Sequence, residues 1–366
     1  MQKMYTAAKK YAILEKKPKE NRMQDKEIYA GLPQLLVPWY RANKRDLPWR
    51  QSRDPYRVWL SEIMLQQTRV EAVRDRYLLF LETLPSVGAL AEAPEEVLLK
   101  LWEGLGYYSR ARNLHKAAKV VAEGGGEFPR TAAELQKLPG VGEYTAGAIA
   151  SICYGEQVAA VDGNVLRVVS RVLGSEKPID DPSVKKAITE SLGEVVPSEG
   201  SGDFTQSFMD LGSAVCTPRS PRCELCPLAE ICRAKASGMQ EKLPKKNPKK
   251  SRKNEEKTLF LLECDGAFAI CRRTEKGVLT GLWQLPCIDG MLSAVDALAA
   301  AADFGVRPTA ILRELHREHI FTHIRWDMVC YHLQCAVQSD CFVWALPEEL
   351  EARYALPTAF RKFLEI

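Results

Sequence analysis

The sequence predicts a multidomain protein, with an all-α N-terminal domain followed by an α+β domain. Three observations carry this reading: capped, amphipathic helical segments run from about Glu27 to Lys235, a basic proline-containing stretch ends them, and apolar alternation begins after it. At 366 residues the chain is long for a single domain. Its 46% hydrophobic and 27% charged residues suit a soluble globular protein, and a net charge of +4 only mildly favours a polyanionic partner. No apolar run approaches the length of a membrane span, so no membrane partner is expected.

Residues 1–26 read as a charged, solvated tail without a signal-peptide core, and their glutamates oppose a transit peptide. A helical domain is expected over 27–237. RDPYRVWLSEIMLQQTRVEAVRDRYLLFLETL opens with Asp54 as N-cap and Pro55 at the first helical position. APEEVLLKLWEGLG has the same proline start and is stopped by Gly104 and Gly106. DPSVKKAITESLGEVVP is another capped, amphipathic segment. Residues 238–256 form a linker, with eight Lys/Arg between Lys242 and Lys257 and two prolines, which serves as an exposed connector or as a contact for DNA backbone. Beyond it, residues 257–366 form the α+β domain. TLFLLECDGAFAICRR reads as two strands around an Asp265-Gly266 turn, HIRWDMVCYHLQCAV as a strand, and SAVDALAAAADFG and LPTAFRKFLEI as helices.

Eleven cysteines, an odd number without a signal peptide, point to a reducing compartment. Seven of them (Cys153, Cys264, Cys271, Cys287, Cys330, Cys335 and Cys341) read mostly as small core hydrophobes. The others, Cys216, Cys223, Cys226 and Cys232, follow the spacing C-x6-C-x2-C-x5-C. Four thiolates so close repel one another unless a metal neutralises them. Spacing alone leaves tetrahedral zinc and an iron–sulfur cluster open, and the lack of two separated C-x2-C pairs favours iron–sulfur.

Three further features carry chemistry. In LPGVGEYTAG, residues 138–147, Gly140 and Gly142 are expected to adopt angles that other residues avoid. Amides of Gly140, Val141 and Gly142, with a helix N-terminus at about Tyr144, then form a site for one phosphate or simply a packing corner. Glu62 shares a helix face with Val58, Trp59 and Leu65, where desolvation raises its pKa; a helix-edge pairing with Arg57 or Arg69 is the other reading. Asp162, between VAAV and GNVLRVVSR, is placed as an N-cap.

LPGVGEYTAG, VDGNVLRVVSR and the cysteine loop together resemble the helix-hairpin-helix DNA glycosylases related to endonuclease III. RDLPWR, SEIMLQQT and GLGYYSRARNLH narrow the resemblance to adenine DNA glycosylases of the MutY type, over about residues 30–366. The resemblance implies a [4Fe-4S] cluster on loop 216–232. It implies a base-excision repair enzyme that flips adenine out of a mispair with 8-oxoguanine or guanine and hydrolyses its N-glycosyl bond. Glu62 would protonate the adenine ring, Asp162 would stabilise the sugar cation directly or through a transient covalent bond, and Tyr144 and Asn164 would orient Asp162 and the water. Strand-cutting relatives carry a lysine where Tyr144 stands. Tyrosine forms no imine, so a monofunctional enzyme, or one with weak lyase activity, is expected.

By the same resemblance Arg45, Leu47 and Trp49 line the adenine pocket, with Gln206 near the exocyclic amine. Gln66-Gln67 and Tyr107-Tyr108 are candidates to fill the gap left by the extruded base, with packing the other reading of the tyrosine pair; the resemblance picks out Gln67 and Tyr107, with Thr68 beside them as a DNA contact. Residues 257–366 resemble a MutT-like (Nudix-type) domain whose helix LSAVDALAAAADFGV lacks the paired glutamates that hold magnesium. Binding rather than nucleotide hydrolysis is expected there. Phe321, Thr322 and His323 match the loop that contacts 8-oxoguanine, where the family usually has serine at the position of Thr322; a polar hairpin tip is the alternative. The expected partner is duplex DNA carrying adenine opposite 8-oxoguanine or guanine, bound by an intracellular, DNA-associated monomer, in the nucleoid if the host is bacterial. The linker offers a docking segment to other repair or replication proteins. Two other functions compete: an endonuclease-III-like bifunctional enzyme on damaged pyrimidines, opposed by Tyr144, Glu62 and the extra domain, and a non-catalytic damage-binding protein, opposed by retention of both carboxylates.

Overall fold

The computed structural model describes residues 19–248 and 251–364. They form two compact units, residues 19–62 with 128–248 and residues 63–127 with 251–364. These units cut across the sequence boundaries, because the helices of 63–127 pack with the C-terminal sheet. The expected tail lies outside the described residues as far as residue 18, and its remainder begins the helix Lys19–Asn43.

The first unit is helical. Its core joins Leu32 and Leu36 of the Lys19–Asn43 helix to Val165 and Val169 of the Gly163–Val172 helix and to Phe204 and Phe208 of the Ser201–Asp210 helix. Local signals set the boundaries: Asp54 accepts the Arg57 amide at 2.9 Å before Pro55–Leu65, and Asp181 accepts the Ser183 amide at 2.8 Å before Pro182–Gly193. The linker departs from expectation at both ends. Leu243 is buried, the Ile179 amide donates to the Lys245 carbonyl at 3.0 Å, and the Asn247 amide donates to the Asp180 carboxylate. Residues 243–247 thus lie along the helical unit, held by backbone bonds while Lys245 and Lys246 face outward. At the other end, Lys253–Glu256 already belong to a strand.

The second unit contains seven strands: β1 Lys253–Cys264, β2 Ala267–Arg272, β3 Trp283–Gln284, β4 Cys287–Asp289, β5 Pro308–Ile320, β6 Ile324–Cys335 and β7 Val343–Ala345. The order is β3-β2-β1-β6-β5, with β4 also on β1 and β7 on β2; β1 and β6 run parallel and every other pair antiparallel. Asp265 and Gly266, at φ 51° and 77°, make the tight turn predicted between β1 and β2. One sheet face packs on Ala297 and Ala301 of the Ala294–Asp303 helix, and the other on Leu350, Phe360 and Phe363. The expected C-terminal helix shortens to Thr358–Arg361. Of the scattered cysteines, Cys264, Cys330 and Cys335 are buried but Cys341 is exposed.

Side chains of 63–127 explain their grouping with the sheet. Glu103 accepts the Leu356 amide at 3.0 Å and pairs with Arg361 at 2.9 Å, and Lys100 donates to the Tyr354 carbonyl at 3.1 Å. Arg112 donates to the Thr280 carbonyl at 3.0 Å. The long segment predicted after Asp54 is two helices, Pro55–Leu65 and Val70–Thr83, broken at Gln67. No helix of the described residues is long and apolar enough to cross a membrane.

Candidate active site

The glycine hairpin leads into the Glu143–Tyr154 helix. Gly140 is left-handed at φ 76°, as predicted, whereas Gly142 is extended (φ −87°, ψ 174°), the ordinary conformation of an N-cap. The Val141 amide is also consumed, donating to the Leu138 carbonyl at 3.1 Å, and its side chain is buried. Of the donors the sequence suggested for an anion, the Val141 amide is therefore taken, while the first amides of the helix have no intrahelical acceptor. A Cβ on Gly142 would meet nothing within 4 Å, so the face above it is open. Further along, a Cβ on Gly147 would come within 3.0 Å of the Ala159 carbonyl. That close approach seats the helix on the segment leading to Asp162.

Glu62 is 6% exposed on the Pro55–Leu65 helix, and burial pushes its carboxyl up to about 7. The Tyr144 hydroxyl donates to Glu62 Oε2 at 2.9 Å, in place of the Arg57 or Arg69 pairing the spacing also allowed. That bond and the charge of Arg50 lower the Glu62 pKa, while the nearby Asp162 raises it, and burial outweighs them all. Burial, Glu62 and Asp162 together drive the Tyr144 phenol far above its ordinary range, so it remains a neutral donor. Tyr144 was expected to orient Asp162; instead it holds Glu62.

Asp162 is held by its own helix. Its Oδ1 accepts the Asn164 and Val165 amides at 2.8 Å each, and its Oδ2 accepts Asn164 Nδ2 at 2.7 Å. Arg167 fixes the other end of the Asn164 amide, donating to Oδ1 at 2.7 Å while also reaching the Gly212 carbonyl at 2.8 Å and the Cys216 carbonyl at 2.8 Å. Gly212 lies so near that its Cβ would stand 2.6 Å from the Asn164 Cβ.

RDLPWR forms a loop ending in the short Pro48–Arg50 turn. Leu47 and Trp49 are buried, but Arg45 is tied down, with its Nε donating to Asp210 Oδ1 at 2.7 Å. Arg50 grips the same carboxylate with both terminal nitrogens, one at 2.8 Å, and lies over the Tyr40 ring. Burial alone would raise the Asp210 carboxyl, but the two arginines outweigh it and hold it below the usual range. Gln206 turns its amide back to the Gly202 carbonyl of its own helix at 3.2 Å.

The four loop cysteines line one cavity with Arg171, Val168 and Leu228. Arg171, 1% exposed, donates to Cys216 Sγ at 3.2 Å and to the Thr217 and Leu243 carbonyls. As a free thiol, Cys226 is pushed up to about 12 by burial, with the other three cysteines adding to the rise, so filling the site requires deprotonation. Among the described residues, no three His, Cys, Asp or Glu side chains gather tightly enough to hold a single metal ion. Four cysteines lining one cavity, with a buried arginine to offset charge, fit a [4Fe-4S] cluster.

In the second unit, Gln67 and Tyr107 are exposed and left-handed, at φ 57° and 47°. Tyr108, in contrast, is buried. The Arg110 guanidinium sits between the two turns. Burial lowers its pKa to about 10, still cationic at neutral pH. At the β5–β6 tip the Phe321 amide donates to the Ile324 carbonyl at 2.8 Å, and the Phe321 ring packs against Trp326 at 4.9 Å. Phe321 is therefore an anchor of the loop, and Thr322 and His323 are its exposed members. Thr322 Oγ1 lies 2.9 Å from Tyr107 Oη.

Sequence reasoning missed Arg50, Arg110, Arg167, Arg171 and Asp210. For two of them a signal existed: Arg167 and Arg171, four apart in the apolar run VLRVVSRV, must face a helix side with no water.

The chain matches the HhH-GPD superfamily of base excision DNA repair proteins over residues 60–194, the iron-sulfur binding domain of endonuclease III over 216–232 and the NUDIX domain over 258–366. Fold and site together define a helix-hairpin-helix base-excision DNA glycosylase with a [4Fe-4S] cluster and a Nudix-type C-terminal domain. The chain is 34% identical to the adenine DNA glycosylase of Homo sapiens, over 90% of this chain and 73% of that protein. Identity to the Schizosaccharomyces pombe adenine DNA glycosylase is 36%, over 86% and 85% of the two. A solved non-covalent endonuclease III–DNA complex aligns with TM-score 0.50 and 26% identity, over 59% of this chain and 98% of that one. The chain belongs to the adenine DNA glycosylase family, whose members remove adenine from DNA in base-excision repair.

Proposed function

We propose that the chain removes adenine mispaired with 8-oxoguanine or guanine, with Glu62 as the acid and Asp162 as the counter-charge. The observation that carries this is the Glu62 carboxyl, buried, raised to about 7 and bonded to Tyr144, with Asp162 close enough to perturb it. Protonated Glu62 gives its proton to a ring nitrogen of the extruded adenine. The bond from the base to C1′ then breaks with its electron pair going to the base, and the Asp162 carboxylate faces the resulting oxocarbenium-like sugar. Water adds at C1′ and gives up a proton to solvent, from which Glu62 is reprotonated. Asn164 keeps Asp162 oriented. When bound, the cluster supplies a rigid clamp on loop 216–232. Tyr144 has no amine for a Schiff base, so base removal without efficient strand cleavage is the outcome.

In the same reading Leu47 and Trp49 flank the base, and Gln206 meets its exocyclic amine after turning from Gly202. Gln67 and Tyr107 fill the vacated stack, the amides following Gly142 hold one phosphate, and Thr322 and His323 read the lesion. The Ala294–Asp303 helix carries no glutamate, which favours binding over nucleotide hydrolysis in the second unit. Single-turnover release from duplexes with adenine opposite 8-oxoguanine, guanine, cytosine and thymine tests the substrate. Fastest release opposite 8-oxoguanine is expected, with guanine second. Equal rates across the panel would rule out lesion-directed removal.

A further inference from the structure

Gln67 and Tyr107 sit in turns forty residues apart in sequence, and both hold a backbone conformation that residues other than glycine avoid. Such conformations persist only where the surroundings over-determine them. Here one side chain bonds both turns, assisted by Thr68 and by Trp102 Nε1, which donates to the Gly106 carbonyl at 3.1 Å. Arg110 Nη1 donates to the carbonyls of Ile63 at 2.7 Å and Met64 at 3.0 Å, in the last turn of the Pro55–Leu65 helix, and of Gln66 at 2.7 Å just beyond it. Its Nη2 donates to the carbonyls of Leu105 at 2.9 Å and Gly106 at 3.1 Å and to Thr68 Oγ1 at 3.1 Å. Thr68 Oγ1 in turn donates to the Leu105 carbonyl at 3.3 Å. The guanidinium also lies over the rings of Trp102 and Tyr107, 5.3 and 5.6 Å from their centroids.

We propose that Arg110 is the positioning residue of the base-extruding apparatus, one planar fork that locks the Gln66–Thr68 and Leu105–Tyr107 turns into a single preformed wedge. This rests on reading Gln67 and Tyr107 as the inserted residues. The consequence is kinetic. With both turns preset, no ordering is required when DNA arrives, and the two side chains enter the stack as one body. A lysine keeps the charge but not the fork, since its ammonium cannot bond both turns in a plane.

The test uses the full-length, iron-loaded protein and a duplex with 2-aminopurine beside the target adenine, whose fluorescence reports extrusion in stopped flow. Arg110→Lys is expected to slow extrusion at least tenfold. Thr68→Val, which removes one link between the turns, slows it less and in the same direction. The deciding comparison repeats both substitutions in a Gln67→Ala/Tyr107→Ala background, where each should change extrusion less than twofold because no wedge remains to position. An equal loss in both backgrounds means Arg110 merely maintains the fold and overturns the proposal, as does unchanged extrusion in Arg110→Lys. If Arg110→Lys lowers the thermal midpoint severely, Thr68→Val alone carries the same comparison. Should Gln67→Ala/Tyr107→Ala itself leave extrusion unchanged, the insertion reading fails and the proposal falls with it.

Discussion

In the proposed reaction Glu62 gives up a proton near neutral pH, and its surroundings set the pH at which it holds one. Tyr144 bonds the ionised form and works against protonation, so Tyr144→Phe should move the alkaline limb of the pH–rate profile for adenine release to higher pH. A limb that stays in place would mean that another group limits the rate. The same raised pKa bears on stability. The folded protein binds this proton more tightly than the unfolded chain, so stability falls as pH rises from about 4.5 to about 7 and stays lower above that. The loss is on the order of 3 kcal/mol, at ~1.4 kcal/mol per tenfold change in proton affinity. Glu62→Gln escapes this loss. Urea unfolding at pH 5 and pH 8 should therefore show the variant gaining on the wild type by that order at the higher pH, and a pH-independent difference would refute the burial argument. The burial of Glu62 was legible because its helix face is apolar. Its partner was not: where a tyrosine hydroxyl ends up depends on how closely the Gly147 helix seats on Ala159.

Elements place these groups through close contacts that only small residues permit. After the Ser201–Asp210 helix the chain makes one wider π-turn, Leu211–Val215, and Gly212 in it faces Asn164. Gly212→Ala must push Asn164 aside at an overpacking cost of about 1–3 kcal/mol. Adenine release should fall well beyond DNA affinity, since Asn164 orients Asp162; parallel losses in binding and release would contradict that role. The caps at Asp54, Asp162 and Asp181 were readable from local chemistry, as was the Asp265-Gly266 turn. The break at Gln67 was not, because the carbonyls that end the Pro55–Leu65 helix are satisfied by Arg110, more than forty residues away. Local propensity across SEIMLQQTRVEAV gives no reason to stop there.

On the scale of the molecule, the sequence separates helical from mixed regions correctly, yet the compact units follow a different division. Residues 63–127 read as part of the helical half by periodicity, but Lys100, Glu103 and Arg112 tie them to the C-terminal sheet. Hydrophobic period identifies an element and leaves its packing partner open. The basic linker shows the same limit. Its composition signals exposure, while Leu243 and the backbone bonds at Lys245 and Asn247 dock it on the helical unit. The proposed reaction needs one carboxyl that keeps its proton and one carboxylate held fixed. The most direct measurement is the single-turnover rate of adenine release against pH for the wild type and Glu62→Gln, on a duplex with adenine opposite 8-oxoguanine. The account predicts a wild-type rate that falls as pH rises through about 7 and a variant at least ~100-fold slower with that limb gone, in line with the usual worth of a positioned acid. A variant that releases adenine at near wild-type rates with the same pH dependence would contradict it.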